Sequence, residues 1–310
     1  MKAMKRLRNV WCAALGVVLC GVFALAAPTD MPEPGTLNYV EGQAAINGET
    51  IAPQSVESQL IGPGGTLSTQ NGKAEVLLTP GVFLRLGDYS KIKMISPDLA
   101  DTEFALLEGQ ATIEADQFNK NNRLSVDQGA ATTSVEKKGL YLLNAGPPYV
   151  QVLDGKAKVA LNGKHVDVGK NHEAVLNSEG KLKTRDFDKD AVNNSSLIRW
   201  SRLRSEYEAQ ANLDTARTVI VNDGWYGPGW YWDQGFGFWS YLPGEGVLYS
   251  PFGWGFYSPG FIYSAPGFYG YGHYPRGFNN NRGSFPRQGF PTPRGGTRTA
   301  PAPRGGGVRR

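Results

Sequence analysis

The residues best equipped for chemistry are few and scattered. His165 and His172, with Asp167 and Glu173 close by, come nearest to a metal or acid–base cluster. A metal site needs three or four converging ligands, and this stretch offers neither a third histidine nor a cysteine, so the group reads as exposed hairpin residues. Asp98 and Asp101 share a loop, but nothing around them sets one up as acid and the other as base. Gly-x-Ser-x-Gly, a phosphate loop and His-Glu-x-x-His are all missing. The chain therefore does not read as an enzyme, and no cofactor or metal is expected. What remains is interaction chemistry. Trp225, Trp230, Trp232, Trp239 and Trp254 crowd a glycine-rich stretch, and Arg276, Arg282, Arg287, Arg294, Arg298 and Arg304 follow it. Such residues stack, make cation–π contacts and bind polyanions.

Charge and the first residues say where that chemistry would be used. Lys2, Lys5, Arg6 and Arg8 precede an apolar run from Val10 to Ala27, and Ala24-Leu25-Ala26 supplies a small-x-small cleavage pattern. This is the layout of a secretory signal peptide over residues 1–26. Both cysteines, Cys12 and Cys20, fall inside it, so the exported protein would rest on its core alone, without disulfides. Cleavage would leave 28 basic and 28 acidic residues and no membrane span. The balance is uneven along the chain: eight arginines and no acid lie between Arg276 and Arg310, so residues 27–275 carry a net charge of −8. The tail's Arg294-Gly295-Gly296 and Arg304-Gly305-Gly306 look like segments that bind nucleic acid, but export argues against that partner. An envelope protein or an anionic envelope polymer fits better, with the periplasm or cell surface as location.

The elements that must position these residues are strands. After a linker at 27–34, apolar residues alternate at Val82, Leu84 and Leu86, at Ile92 and Met94, and at Ala111, Ile113 and Ala115. Arg85, Lys91, Lys93 and Glu114 take the opposite parity, which predicts half-buried strands with these charges facing water. Asn71-Gly72, Pro80-Gly81 and Gly87-Asp88 supply turn chemistry between runs. Earlier strands are expected at Leu37–Val40 and Gln43–Ile46, and later ones at 123–126, 131–135, 140–144, 149–153, 157–161 and 165–168. Short strands at this spacing predict a mainly β domain over 35–188, an antiparallel or stacked sandwich or β-coil.

These residues also carry a resemblance. Gly64-Gly65-Thr66-Leu67-Ser68-Thr69, Gly72-Lys73-Ala74-Glu75-Val76, Val82-Phe83-Leu84-Arg85-Leu86-Gly87 and Leu107-Glu108-Gly109-Gln110-Ala111 resemble the glycine-marked strands of the FecR domain. Val150 to Ala157 and Val168-Gly169-Lys170 resemble its later segments, so the likeness spans roughly residues 35–185. The family's usual Val-x-Gly-Thr is absent, and Thr133-Ser134-Val135 stands about where it would be. Well-known members regulate sigma factors through a cytoplasmic segment and a membrane span ahead of the β-domain. Here a signal peptide occupies that place, so the resemblance implies a binding or sensing β-domain without the transmembrane relay.

Beyond the β-domain the period changes. Leu197, Trp200, Leu203, Tyr207 and Ala211 recur at three and four, predicting an amphipathic helix over 189–217 with Arg202, Glu206 and Glu208 on other faces. The segment 222–274 is rich in glycine and aromatics, with Asp233 and Glu245 the only charges from Gly224 to Tyr274, and it either forms irregular hairpins or stays disordered and adhesive. Gly235-Phe236-Gly237-Phe238-Trp239-Ser240 is echoed by Gly253-Trp254-Gly255-Phe256-Tyr257-Ser258. The tail from 275 to 310 has the composition of a disordered segment. The reading is an exported, non-enzymatic binding or sensing protein of the envelope. The alternative is a structural envelope protein that self-associates through its aromatic segment. The sequence leaves the oligomeric state open.

Overall fold

The structure is a computed structural model that describes residues 31–52, 56, 59–176, 181–222 and 224–264. The expected signal segment, most of the linker and the arginine tail lie outside the described residues. The chain divides into a unit over Met1–Tyr269 and a second over Gly270–Arg310, and all described residues belong to the first.

The fold is mainly β, and fifteen strands join in one sheet. In chain order they are β1 (Thr36–Ile46), β2 (Glu49–Thr50), β3 (Thr66–Leu77), β4 (Val82–Leu86), β5 (Lys91–Pro97), β6 (Asp101–Glu108), β7 (Gln110–Ala115) and β8 (Arg123–Gln128). They continue as β9 (Ala131–Val135), β10 (Gly139–Ala145), β11 (Pro148–Asp154), β12 (Lys156–Leu161), β13 (Lys164–Gly169), β14 (His172–Leu176) and β15 (Leu182–Asp186). Across the sheet the order is β13-β12-β9-β8-β6-β5-β3-β4-β7-β10-β11-β14-β15, with β1 on β3 and β2 on β1. After β3 and β4 the chain lays strands alternately on the two flanks of β3: β5 and β6 on one, β7 on the other, β8 and β9 back again, and so on to β15. The sheet curls until β13 nears β14 and β15, and closes around one apolar core. Closure hides edges that would otherwise template association.

The long strand β3 is the seam of this curl. Its first residues pair with β5, Thr66 opposite Lys93, and its last pair with β4, Ala74 opposite Leu86. Asn71-Gly72, expected as a turn, lies inside β3, and the expected break between Val40 and Gln43 lies inside β1. The two strands bend together there, because Gly42 sits opposite Gly72 at a register shift. A Cβ on Gly72 would meet the Gln43 nitrogen at 2.5 Å, so only glycine lets the backbones cross this closely. Gly155, between β11 and β12, makes a corner at φ +95°, where a Cβ would meet the Tyr141 hydroxyl at 2.3 Å.

Parity predicts the interior well. Val82, Leu84, Leu86, Ile92, Met94, Ala111, Ile113 and Ala115 all line the core. It fails for half of the polar set. Lys93 is exposed and Lys91 half-buried, but Arg85 and Glu114 are completely buried, because the outside of β3, β4 and β7 is covered.

The cover begins with a helix. The segment expected as one helix over 189–217 is two, α1 (Lys189–Asn193) and α2 (Ser196–Val221). Asp188 caps α1 by accepting from the Asp190 and Ala191 amides, and Ser195 caps α2 by accepting from the Ile198 amide. The buried stripe of α2 is shifted from the apolar one read in the sequence. Leu203 is exposed and Tyr207 half-buried, whereas Ser201, Arg204, Ser205, Glu208, Asn212 and Thr215 are buried. Glu208, expected on a solvent face, points into the protein. Among the described residues no helix is long and apolar enough to cross a membrane.

Candidate functional site

The aromatic stretch forms hairpins. β16 (Gly229–Asp233) pairs with β17 (Phe238–Leu242), Trp230 opposite Tyr241, and β18 (Val247–Tyr249) pairs with β19 (Gly255–Tyr257). A short helix, α3 (Pro259–Ser264), follows. Asp233 shapes the first hairpin: its carboxylate accepts from the Gly235 and Phe236 amides at 2.8 and 2.9 Å, and from the Thr215 hydroxyl of α2 at 2.8 Å. Phe83 and Leu77, on the outer parity of β4 and β3, meet Trp230, Trp239, Tyr241 and Phe256 in an apolar cluster. The Phe83 ring stands edge-on to Trp230 at 5.2 Å. An aromatic payload of this size offsets the entropy cost of ordering a glycine-rich chain.

The internal echo has a structural counterpart. In each copy the fifth residue presents its peptide group to the carboxamide of a buried asparagine. The Trp239 amide donates to Asn38 Oδ1 at 2.8 Å, and Asn38 Nδ2 donates back to the Trp239 carbonyl at 3.0 Å. Likewise the Tyr257 amide donates to Asn212 Oδ1 at 2.7 Å, and Asn212 Nδ2 donates to the Tyr257 carbonyl at 3.1 Å. The carboxamide thus imitates a neighbouring strand at the free edge of each hairpin. Asn38 belongs to β1 and Asn212 to α2, so these contacts tie the first hairpin to the sheet and the second to the helix. The first also reaches α2, where Thr215 donates to Asp233 and Asn212 donates to the Tyr241 carbonyl.

Between α2 and the sheet lies a layer of charge without water access. Glu75 on β3 faces Arg85 on β4 across the ladder, and Arg85 Nε donates to Glu75 at 2.6 Å. Arg85 Nη1 donates to Glu114 of β7, which also accepts from the Ser205 hydroxyl at 2.6 Å. From α2, Arg204 Nη2 donates to Glu75 Oε1 at 2.7 Å and to Glu208 Oε1 at 2.9 Å. Asn38 Nδ2 reaches the same two oxygens, each at 3.0 Å. The Arg204 guanidinium lies between the Tyr39 and Phe238 rings, 4.1 and 4.4 Å from their centroids. Asp116, immediately after β7, is 1 % exposed and neither of its carboxyl oxygens has a hydrogen-bond partner.

The layer holds four carboxyls and two guanidiniums, and its electrostatics follow from that count. Burial pushes the Asp116 carboxyl well above the usual range, and the neighbouring Glu114 adds to the rise. Burial likewise raises Glu208, with Glu75 beside it. For Glu75 burial works in the same direction, but Arg204 and then Arg85 outweigh it and hold it low. Raised values at Asp116 and Glu208 favour fewer negative charges in the layer than it has carboxyls.

The tryptophans expected to face partners divide by burial. Trp230 and Trp239 are buried, while Trp225, Trp232 and Trp254 are half-buried. Trp225 and Tyr226 both stack on Tyr231, at 5.6 and 4.2 Å, and Tyr226 is 57 % exposed. Arg276, Arg282, Arg287, Arg294, Arg298 and Arg304 lie outside the described residues. His165 and His172 are exposed on hairpin strands, and among the described residues no group of three or more His, Cys, Asp or Glu could hold a metal. The concavities found are shallow and surface-facing, such as the one of about 390 Å³ lined by Asp101, Phe118, Arg123 and Glu136.

No curated protein matches the chain. Two crystal structures of a candidate anti-sigma factor from Parabacteroides distasonis ATCC 8503 resemble it at 16 % and 17 % identity, each with a TM-score of 0.37. Each match covers 41 % of this chain and 62 % of the other, so the chain spans less than two thirds of that protein. The FecR protein family model matches residues 65–158, from the start of β3 into β12.

Proposed function

We propose that the protein is an exported, non-enzymatic binding or sensing module of the bacterial cell envelope. The observation that carries this reading is the FecR domain itself, carried on a closed β-body whose outer face is occupied by α2 and the aromatic hairpins. Among the described residues, the buried carboxyls Glu75, Glu114 and Glu208 face Arg85 and Arg204. The self-associating alternative draws less support, because Trp230, Trp239, Tyr241 and Phe256 already pack within the chain. Outward contact then falls to exposed rings such as Tyr226 and to the arginine tail, whose eight cations suit an anionic envelope polymer.

Fractionation of cells expressing the full chain and a version ending at Tyr274 tests this. The full chain should appear in the envelope fraction with its N-terminus at Ala27 or close to it. Its retention should fall steeply with added salt, because exposed charges are screened beyond about 8 Å at physiological ionic strength. The shortened chain should keep its fold and lose retention. Recovery of both forms in the cytoplasm with Met1 intact would sink the reading. Equal retention of both at every salt concentration would remove the tail from it.

A further inference from the structure

The charged layer joins two parts of the chain that are remote in sequence, and it carries more carboxyls than its cations can match. Glu75 Oε1 of the FecR domain and Glu208 Oε1 of α2 share two donors, Asn38 Nδ2 and Arg204 Nη2. Two carboxylates on the same two nitrogens repel each other strongly when both are ionised and buried. One proton on the pair removes that repulsion. The groups around it leave no other remedy. Arg204 is shared already, Arg85 is taken up by Glu75 and Glu114, the Tyr39 ring lies beneath Arg204, and β17 presents the Trp239 carbonyl to the same Asn38 amide. The second oxygen of Glu208 is buried and has no hydrogen-bond partner. Beside this pair, Arg85 reaches Glu114 but not Asp116 two residues on, whose carboxyl oxygens are buried without a hydrogen-bond partner.

We propose that α2 and the aromatic hairpins form a proton-dependent clasp on the FecR domain, shut while the Glu75–Glu208 pair keeps one proton and loosened when that proton leaves. The clasp goes beyond the envelope reading and does not depend on it. Loosening would uncover Leu77 and Phe83 of the sheet together with the buried faces of Trp230 and Phe256, an apolar surface that the closed form hides. The direction follows from linkage. A carboxyl whose value is raised in the closed form keeps its proton there and gives it up in the open form. The raised Glu208 thus favours closure fully below the ordinary carboxyl range and loses that contribution as pH rises toward the raised value. Glu75, held low by its arginines, acts the opposite way in acid, so closure is strongest near the ordinary carboxyl range. In that window the opening constant grows by about tenfold per pH unit for each proton retained. The pair titrates as one system, so the proton belongs to Glu75 and Glu208 together.

The test uses the full chain. Infrared spectra at neutral pH should show a protonated-carboxyl band that Glu208→Gln diminishes and Asp116→Asn diminishes separately. Amide exchange, corrected for its intrinsic pH dependence, should show protection of residues 196–221 and 229–242 falling between about pH 5 and the alkaline limit. With Glu208→Gln that fall should become shallower by about tenfold per pH unit, since glutamine keeps the shape of the protonated acid and cannot lose its proton. A wild-type spectrum without the band at neutral pH would overturn the proposal without recourse to any variant. So would a Glu208→Gln protein whose exchange follows the same pH course as the wild type.

Discussion

The two faces of β3, β4 and β7 are equally buried and chemically opposite. Val76, Leu84 and Ile113 point into the curl of the sheet and meet only apolar neighbours. Glu75, Arg85 and Glu114 point outward from the same strands and are just as inaccessible, under α2. The inner face tolerates rearrangement among residues of similar volume, because dispersion and burial have no preferred direction. On the outer face each group depends on particular partners, because a buried charge without one costs several kcal/mol. Burial inside the curl therefore gives stability, while burial beneath α2 fixes where helix and hairpins sit. That a buried ion layer buys specificity in this way is testable at single positions.

The largest effects are expected at adjacent residues on opposite faces. Leu84→Asp places an unpaired charge in the apolar core and should cost more than about 4 kcal/mol, enough to prevent folding. Arg85→Met removes the cation between Glu75 and Glu114 and should cost about 3–5 kcal/mol, since both carboxyls stay buried without it. The comparison breaks if chemical denaturation finds Arg85→Met within about 1 kcal/mol of wild type. The layer would then be adaptable, and the contrast between the faces would be one of composition alone.

How much of this was legible beforehand depended on the distance over which a residue's surroundings are decided. The alternation at Val82, Leu84 and Leu86 is set by neighbours two residues away, so parity alone placed it in the core. The turns observed at Asn47-Gly48 and Asn162-Gly163 are equally local in origin, with positive φ at all four residues. Arg85 and Glu114 were misplaced because what covers them lies more than 90 positions further along, near Arg204 and Ser205. In α2 the same limit produced the shifted stripe. Apolarity assigns Leu203 inward, yet the surface it would meet is the charged one, which selects Arg204 and Glu208 instead. A signal was present in Glu75, Arg85 and Glu114, three charges of matching parity on strands that pair side by side, but reading it required the strand order. The echo in the aromatic segment was visible, whereas its use as two asparagine-clasped hairpin edges was not.

A middle-sized effect should separate the hairpins from each other. Asn212→Ala leaves the Tyr257 amide and carbonyl and the Tyr241 carbonyl without their side-chain partner, and should cost about 1–3 kcal/mol. Its consequences should be greatest over β18, β19 and α3, where both groups of the Tyr257 peptide lose their partner, and smaller in β17, where only the Tyr241 carbonyl does. Amide exchange would show this as a larger loss of protection over 247–264 than over 229–242. Equal loss in both hairpins would mean that they are seated as one unit.

The smallest effect provides the control for the whole comparison. Arg123 and Asp101 form an ion pair between β8 and β6, chemically the same guanidinium–carboxylate contact as Arg85 with Glu114. It differs in exposure, at 77 % and 41 % for the two side chains against zero for both partners in the buried pair. Water solvates each partner of the exposed pair nearly as well when the other is gone, and ordering two long side chains consumes much of the remaining attraction. Arg123→Gln should therefore change stability by no more than about 1 kcal/mol, and by less as salt is added. Arg85→Met should show little salt dependence, because ions do not enter the layer that screens nothing. If denaturation in low and high salt gave both substitutions the same cost and the same salt response, the covered face would be open to solvent, and the role assigned to α2 as its seal would fall with it.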